Sequence, residues 1–373
     1  MKPFSCAIAN RDAGEDLIGT AGHYQTYVLI ECPLPWAANA FESKSIPATL
    51  CKYVNAMTAE RSVRFLAINR GTLDAKASIT LLVYERAVFS GLVADDSVNT
   101  EVIAGYQGYE FQVDNLTQAI DCLESHWQGR LVGQSIIQKD ILICTHGMRD
   151  SCCARFGQPL FREAMRSASE DKLPNARVWR VSHIGGHRLA PTAISLPDGR
   201  YYGRLTLAAL KAIVTRRGSI EQLRSVYRGW GLLPEPLQVL ERQLMLQQGW
   251  SWFDSKVTYR ILADRMCKQR SQSSEQNLHT LSVDFSVVSS ISQPVETQVE
   301  TIADCQSQAS ISQSQTYRAE LVQDPQKTVC TKASCSSDVA KPFVKYAVTQ
   351  CALISQPQSA ADSIAAVEKP CVL

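Results

Sequence analysis

Two stretches concentrate side chains that could do chemistry as no other part of the chain does. One is Cys144-Thr-His-Gly-Met-Arg-Asp-Ser-Cys152-Cys153; the other, His183-Ile-Gly-Gly-His187, begins thirty residues after it. Two thiolates and two imidazoles are a complete ligand set for a metal centre, and such nitrogen and sulfur donors suit iron–sulfur groups or zinc. Three chemistries are compatible with these residues. The first is a [2Fe–2S] cluster on Cys144, Cys153, His183 and His187. With two neutral imidazoles in place of two thiolates it carries less negative charge than a four-cysteine cluster and sits at higher potential, and exposed imidazoles could take up a proton on reduction. The second is zinc in the same four ligands, as in a zinc-stabilised binding module. The third is a thiol-dependent oxidoreductase using Cys152-Cys153 or Cys144. Adjacent cysteines form strained disulfides and no Cys-x-x-Cys stands here, which weighs against it.

Some neighbours belong to the argument and some do not. Cys144-Thr-His146 resembles the first half of a Rieske ligand box. The second half would need Cys-x-x-His, and after Cys152 and Cys153 the corresponding positions are Arg155 and Phe156, so that arrangement fails. Asp150 and Arg188 could orient the ligands or tune the charge of the centre, and His146 and Ser182 are further candidates. Trp179 reads as core. There is no Gly-x-Gly-x-x-Gly after a strand and no phosphate-binding loop of the Walker type, so no nicotinamide, flavin or nucleotide site is expected.

The elements that must position these residues follow from hydrophobic periodicity. Residues 25–125 alternate strand-like runs (Gln25–Glu31, Val63–Asn69, Ile79–Arg86) with helical stretches (Ile46–Thr58, Asn115–His126), as in an α/β layer. The pattern then repeats. Asp140–Cys144 reads as a buried strand, Pro159–Ser169 as a helix with proline near its start, and Arg177–Ser182 as a strand. Ala193–Leu196 and Tyr201–Arg204 form a hairpin across Pro-Asp-Gly-Arg. Leu205–Thr215, Ile220–Arg228 and Pro236–Gln248 are helical. The order β-α-β-β-β-α is compatible with a thioredoxin-like layer, and it puts Cys144 and His183 just past the carboxyl ends of two strands, where open α/β sheets build their sites. The two glycines between the histidines let that loop bend closely around a bulky group.

Composition bounds the rest. The 373 residues, 45% hydrophobic, suffice for more than one core, and a formal charge of +2 predicts neither nucleic-acid nor membrane binding. No run of apolar residues is long enough to span a bilayer and the start lacks a secretory core, so a cytoplasmic protein is expected. Cys371 lies one residue short of a prenylation box. The 13 cysteines are odd in number and dispersed, which argues against a disulfide framework. Cys32, Cys51, Cys122 and Cys267 read as small buried hydrophobes. Residues 130–217 hold 15 Lys/Arg against 6 Asp/Glu, a basic region suited to an acidic partner. After Gln269 the chain turns Ser/Gln-rich, with linkers near 270–277 and 305–315. Strand-like pieces (Thr280–Val288, Tyr317–Val322, Lys327–Lys332, Phe343–Val348) accompany them, and the four cysteines after residue 320 show no ligand spacing.

The run Cys144–Gly157 followed by Trp179-Arg-Val-Ser-His183-Ile-Gly-Gly-His187-Arg-Leu-Ala-Pro resembles the sucrase/ferredoxin-like family of thioredoxin-fold proteins. The resemblance extends over about 20–260 and includes Gly19-Thr-Ala and Glu31-Cys-Pro-Leu-Pro-Trp36. It implies a [2Fe–2S] cluster on Cys144, Cys153, His183 and His187, with Cys152 a neighbour that does not ligate. It also implies one-electron transfer, served by a separate redox partner protein such as an acidic reductase. Sucrose hydrolysis has no support, since no carboxylate pair stands out. The expected architecture is therefore α/β: an N-terminal α/β domain over 1–130, a thioredoxin-like iron–sulfur domain over 131–262, and Ser/Gln-rich linkers with a small, partly disordered β appendage over 263–373.

Overall fold

The computed structural model describes residues 4–71, 78–87, 102–270, 275–291 and 311–355. The described residues divide into two compact units, the first drawn from 4–71, 78–87, 104–250 and 323–347 and the second from the rest. The first unit carries the motifs. It opens with helix α1 (Cys6–Asp12), then strand β1 (Thr26–Glu31), α2 (Ala48–Glu60), β2 (Val63–Asn69), β3 (Ile79–Arg86), β4 (Tyr106–Val113), α3 (Gln118–Trp127) and the short β5 (Gln134–Ser135). There follow β6 (Lys139–Cys144), α4 (Ser151–Ser169), β7 (Ala176–Val181), β8 (Ala193–Leu196), β9 (Arg200–Tyr202), α5 (Leu207–Thr215), β10 (Tyr227–Trp230) and α6 (Glu235–Gln248).

Ten of these strands form one mixed sheet in the order β10-β9-β8-β6-β7-β2-β1-β3-β4-β5. Read outward from the β7–β2 seam, the order is the same in both directions. In one half β1 runs parallel to β2 and antiparallel to β3, which pairs antiparallel with β4. In the other, β6 runs parallel to β7 and antiparallel to β8, which pairs antiparallel with β9. Each half thus has the order β-α-β-β-β-α. The seam is antiparallel and short, pairing Ile68 with Val181 and Asn69 with Arg180, so the carboxyl ends of β2 and β7 meet at mid-sheet.

The central strands are apolar on both faces because helices cover them. Val28, Ile30 and Ala67 pack under Leu50, Val54 and Met57 of α2 and Ala119 and Leu123 of α3. Charge is also buried: Asp140 accepts two hydrogen bonds of 2.7 Å from Arg177 and one of 2.6 Å from Trp179 Nε1. Lys139, Arg188 and Arg200, all from the basic region, are likewise paired internally, with Asp198, Glu15 and Glu241.

Three expectations change. The helix expected from Pro159 starts at Ser151, because the Asp150 side chain caps it by accepting from Cys152 N–H at 2.9 Å; Pro159 lies inside it. The helix expected over Ile220–Arg228 is a 3₁₀ turn, Ile220–Leu223, followed by an edge strand, since Tyr227–Trp230 pairs with β9. Helix α1 was not signalled at all. Among the described residues no helix is long and apolar enough to cross a membrane.

Residues 323–347 add the two-stranded β14 (Val329–Lys332) and β15 (Ala340–Phe343) to the first unit. The second unit is a four-stranded sheet, β11 (Lys256–Arg270), β12 (Glu275–Ile291), β13 (Ile311–Gln323) and β16 (Tyr346–Ser355), ordered β11-β12-β13-β16. Its strands are longer than the short pieces expected. Asp284 on β12 is flanked in register by Arg260 and Arg318. Of the expected linkers at 270–277 and 305–315, residues 271–274 and 305–310 lie outside the described residues, as does Cys371, while 275–277 and 311–315 belong to β12 and β13.

Candidate metal centre

Cys144 is the last residue of β6, its N–H bonded to Thr192 O at 3.0 Å. Cys153 sits in the first turn of α4, where Asp150 caps the helix. His183 follows β7, next to β6 in the sheet. Cys144 Sγ, Cys153 Sγ and a ring nitrogen of His183 consequently lie within 4.8 Å of one another, with Cys153 Sγ 3.9 Å from His183 Nδ1. Both sulfurs are on buried residues. His187, the fourth expected ligand, is not among these converging atoms. Its ring stacks on that of His183 at 4.7 Å between centroids, and its buried Nδ1 has no hydrogen-bond partner. The nearest opposite charge to it is Asp150 Oδ2 at 3.9 Å.

The electrostatics favour ligation. The hydrogen bond with Cys153 holds the Cys144 thiol well below its ordinary range, against burial and with help from His183. The same bond pushes Cys153 up, as does burial. Burial lowers His187 and keeps it neutral, as a nitrogen ligand must be. A buried imidazole nitrogen lacking a partner, beside two thiols and a second imidazole, is what a metal group would satisfy. The residues present fit one.

The loop carrying His183 is braced at both ends of one peptide segment. His146 Nδ1 accepts from His183 N–H at 3.2 Å while His146 Nε2–H donates to Ala37 O at 2.6 Å. This requires a neutral ring, and burial lowers His146 accordingly. Arg64 Nη2 donates to His183 O at 2.7 Å. Further along, Arg228 Nη1 donates to Gly185 O at 3.1 Å. Gly185 and Gly186 hold φ of +86° and +75°, and a Cβ on Gly186 would stand 2.8 Å from the Arg228 guanidinium. A glycine is therefore needed there both for conformation and for space.

The other residues singled out from sequence divide. Asp150 is close to the group and central. Burial would raise its carboxyl, but N–H donors from Cys335, at 2.8 Å, and from Cys152 hold it below its usual range. Ser182 Oγ accepts from Ala67 N–H at 3.1 Å and so belongs to the β2–β7 seam. Arg188 is engaged elsewhere: it makes a two-pronged pair with Glu15 at 2.8 and 2.7 Å and lies over the Phe343 ring. Cys152 points away from the centre, to Cys6 and Cys335. A cavity of about 260 Å³ opens beside the centre, lined by His146, Arg149, Ser182, His183, Arg64 and Phe41 among others. Arg64 and Arg228 were not anticipated. Isolated arginines on distant strands carry no local signal of the loop they brace.

Residues 17–229 match the model of the family described as Sucrase/ferredoxin-like. Three curated relatives, each named altered inheritance of mitochondria protein 32, match a shorter stretch. The protein of Clavispora lusitaniae is 35% identical over 26% of this chain and 38% of its own length. That of Meyerozyma guilliermondii is 30% identical over 26% and 36%, and that of Debaryomyces hansenii 32% over 25% and 36%. The chain thus matches little more than a third of the length of these relatives. No solved structure matches. These findings overturn the expectation of a one-electron transfer protein: the relatives are named for mitochondrial inheritance, and none by an electron-transfer activity. The donor types never required one, since two thiolates and two imidazoles also suit a redox-inert ion.

Proposed function

Starting from a chain that belongs to the sucrase/ferredoxin-like family, we propose that it is a metal-binding protein whose centre is held by the Cys144 and Cys153 thiolates and the His183 and His187 imidazoles. The observation that carries this is the meeting of two buried thiols and an imidazole from a strand end, a helix start and a following strand end, with the orphaned His187 Nδ1 beside them. We assign each half of the ten-stranded sheet a thioredoxin-like arrangement. The support is its β-α-β-β-β-α order, with the first two strands parallel and the third antiparallel to the first.

The group proposed for the centre is a [2Fe–2S] cluster, which would supply sulfide-bridged iron there. The chain's own residues have separate tasks. Cys144 offers a thiolate, Cys153 yields its proton to become one, and the α4 N-terminus favours negative charge at both. His146, Arg64 and Arg228 fix the loop that presents the imidazoles, as the outer partners of metal ligands do.

One observation favours a single zinc ion as a second reading: Cys153 Sγ and His183 Nδ1 are 3.9 Å apart, a spacing that suits two ligands of one ion. The test is iron, acid-labile sulfide and zinc analysis of the anaerobically purified chain beside Cys144→Ser and His187→Ala. Iron with equal sulfide, lost in both variants, supports the cluster. Zinc lost in both supports the single ion. No metal that depends on Cys144 ends the proposal.

A further inference from the structure

A second convergence of thiols lies on the other side of Asp150, built from three segments far apart in the chain. Cys6 is the first residue of α1, Cys152 faces away from Cys153 at the start of α4, and Cys335 lies in the connection between β14 and β15. The sulfurs form a closed triangle: Cys6 to Cys152 is 3.6 Å, Cys152 to Cys335 is 3.2 Å, and Cys335 to Cys6 is 3.6 Å. The Asp150 carboxylate oxygens stand 3.8 and 3.9 Å from Cys6 Sγ, and all four donor atoms lie within 4.8 Å of one another. Cys6, Cys152 and Asp150 are buried and Cys335 is half-buried.

We propose that Cys6, Cys152, Cys335 and Asp150 form a second metal site, for a thiolate-preferring divalent ion of the zinc class, separate from the Cys144 centre and sharing no ligand with it. With zinc–sulfur bonds of about 2.3 Å, tetrahedral geometry places neighbouring sulfurs about 3.8 Å apart and a carboxylate oxygen about 3.5 Å from each sulfur. To admit the ion, the two sides that meet at Cys6 need to open by about 0.2 Å and the Cys152–Cys335 side by about 0.6 Å. Soft sulfur donors select such an ion over magnesium or calcium. The surroundings suit thiolates: Cys6 N–H donates to Cys335 Sγ at 3.5 Å, and Ser5 Oγ lies 3.2 Å from Cys152 Sγ. Two N–H donors also fix the carboxylate, from Cys152 at 2.9 Å and from Cys335 at 2.8 Å, so Asp150 is oriented before an ion arrives. Bound, the ion would pin α1 and residues 323–347 to the start of the helix that carries Cys153. It adds a cross-link in which each thiol gives up a proton and no electrons move.

The test uses the full chain with zinc alone, and with cobalt as a coloured substitute. A Cys144→Ser/Cys153→Ser chain should still bind one zinc, and its cobalt form should show a thiolate-to-metal charge-transfer band. Adding Cys335→Ser or Cys6→Ser should remove that equivalent and the band. Should these variants fold poorly, the unaltered chain decides: zinc should protect Cys335 from a maleimide while exposed Cys330 reacts with and without it. Full zinc retention in Cys335→Ser would overturn the proposal. So would a metal-free chain in which mass spectrometry finds Cys152 and Cys335 joined as a disulfide.

Discussion

Gly157 presses so closely on Cys144 that a Cβ placed on it would stand 1.9 Å from the Cys144 carbonyl oxygen. Helix α4 can lie against the end of β6 only because this position has no side chain, and that contact fixes Cys153 relative to Cys144. Helix propensity alone favours Gly157→Ala by about 1 kcal/mol. The backbone overlap opposes it and wins, because a carbonyl at a strand end has nowhere to move in a packed interior. The expected net loss is about 3 kcal/mol, the upper end for overpacking, with loss of bound metal. Thermal unfolding and metal analysis check it; a Gly157→Ala chain more stable than the parent would refute the packing argument.

Adjacent cysteines are predicted to differ. Cys153→Ser should empty the Cys144 centre, while Cys152→Ser should leave that centre loaded, because Cys152 faces Cys6 and Cys335. The readout is metal content after each substitution, compared with a Cys144→Ser chain. Equal losses from the Cys144 centre in both variants would refute the division of the pair.

The sequence revealed what is local and periodic, and missed what depends on distant segments. Val63–Asn69 and Ile79–Arg86 were legible to the residue because buried strands leave unbroken apolar runs. The Cys144, Cys153 and His183 meeting followed from placing two strand ends side by side. Pro159 misled about α4, since proline usually marks a first turn, whereas the capping carboxylate lay nine residues earlier. Tyr227 and Arg228, the start of β10, read as the end of a helix because edge pairing with β9 cannot be seen in one segment. Cys335 looked inert for a similar reason: its partners are 183 and 329 residues away, and no spacing rule reaches that far.

Removing the brace on His183 should weaken both the centre and the fold. Arg64→Ala deletes the 2.7 Å bond to the His183 carbonyl. Loss of such an outer partner typically lowers metal affinity about 10- to 100-fold, and a charged hydrogen bond contributes about 1.5–3 kcal/mol to stability. Competition against a chromophoric chelator measures the affinity. Unchanged affinity in a chain of reduced stability would make Arg64 structural only.

Acid should unfold this protein partly through Glu15. The residue is buried, bound by both prongs of Arg188 at 2.8 and 2.7 Å and by Lys345 Nζ at 2.9 Å. Burial alone would raise its carboxyl, but Arg188 and Lys345 outweigh it and bring it down from 4.5 to about 2. A carboxyl lowered in the folded state contributes its full share above its ordinary value and loses it as the pH falls toward the folded one. The window is therefore pH 4.5 to about 2, and the share is about 3 kcal/mol at 1.36 kcal/mol per unit. Glu15→Gln should be less stable near pH 6, where it leaves two buried cations without their anion. It should lose less than the parent across the acid window, so the two stabilities converge. Denaturant unfolding near pH 6, 4 and 3 measures this, and parallel stability curves for the two chains would remove Glu15 from the account of acid sensitivity.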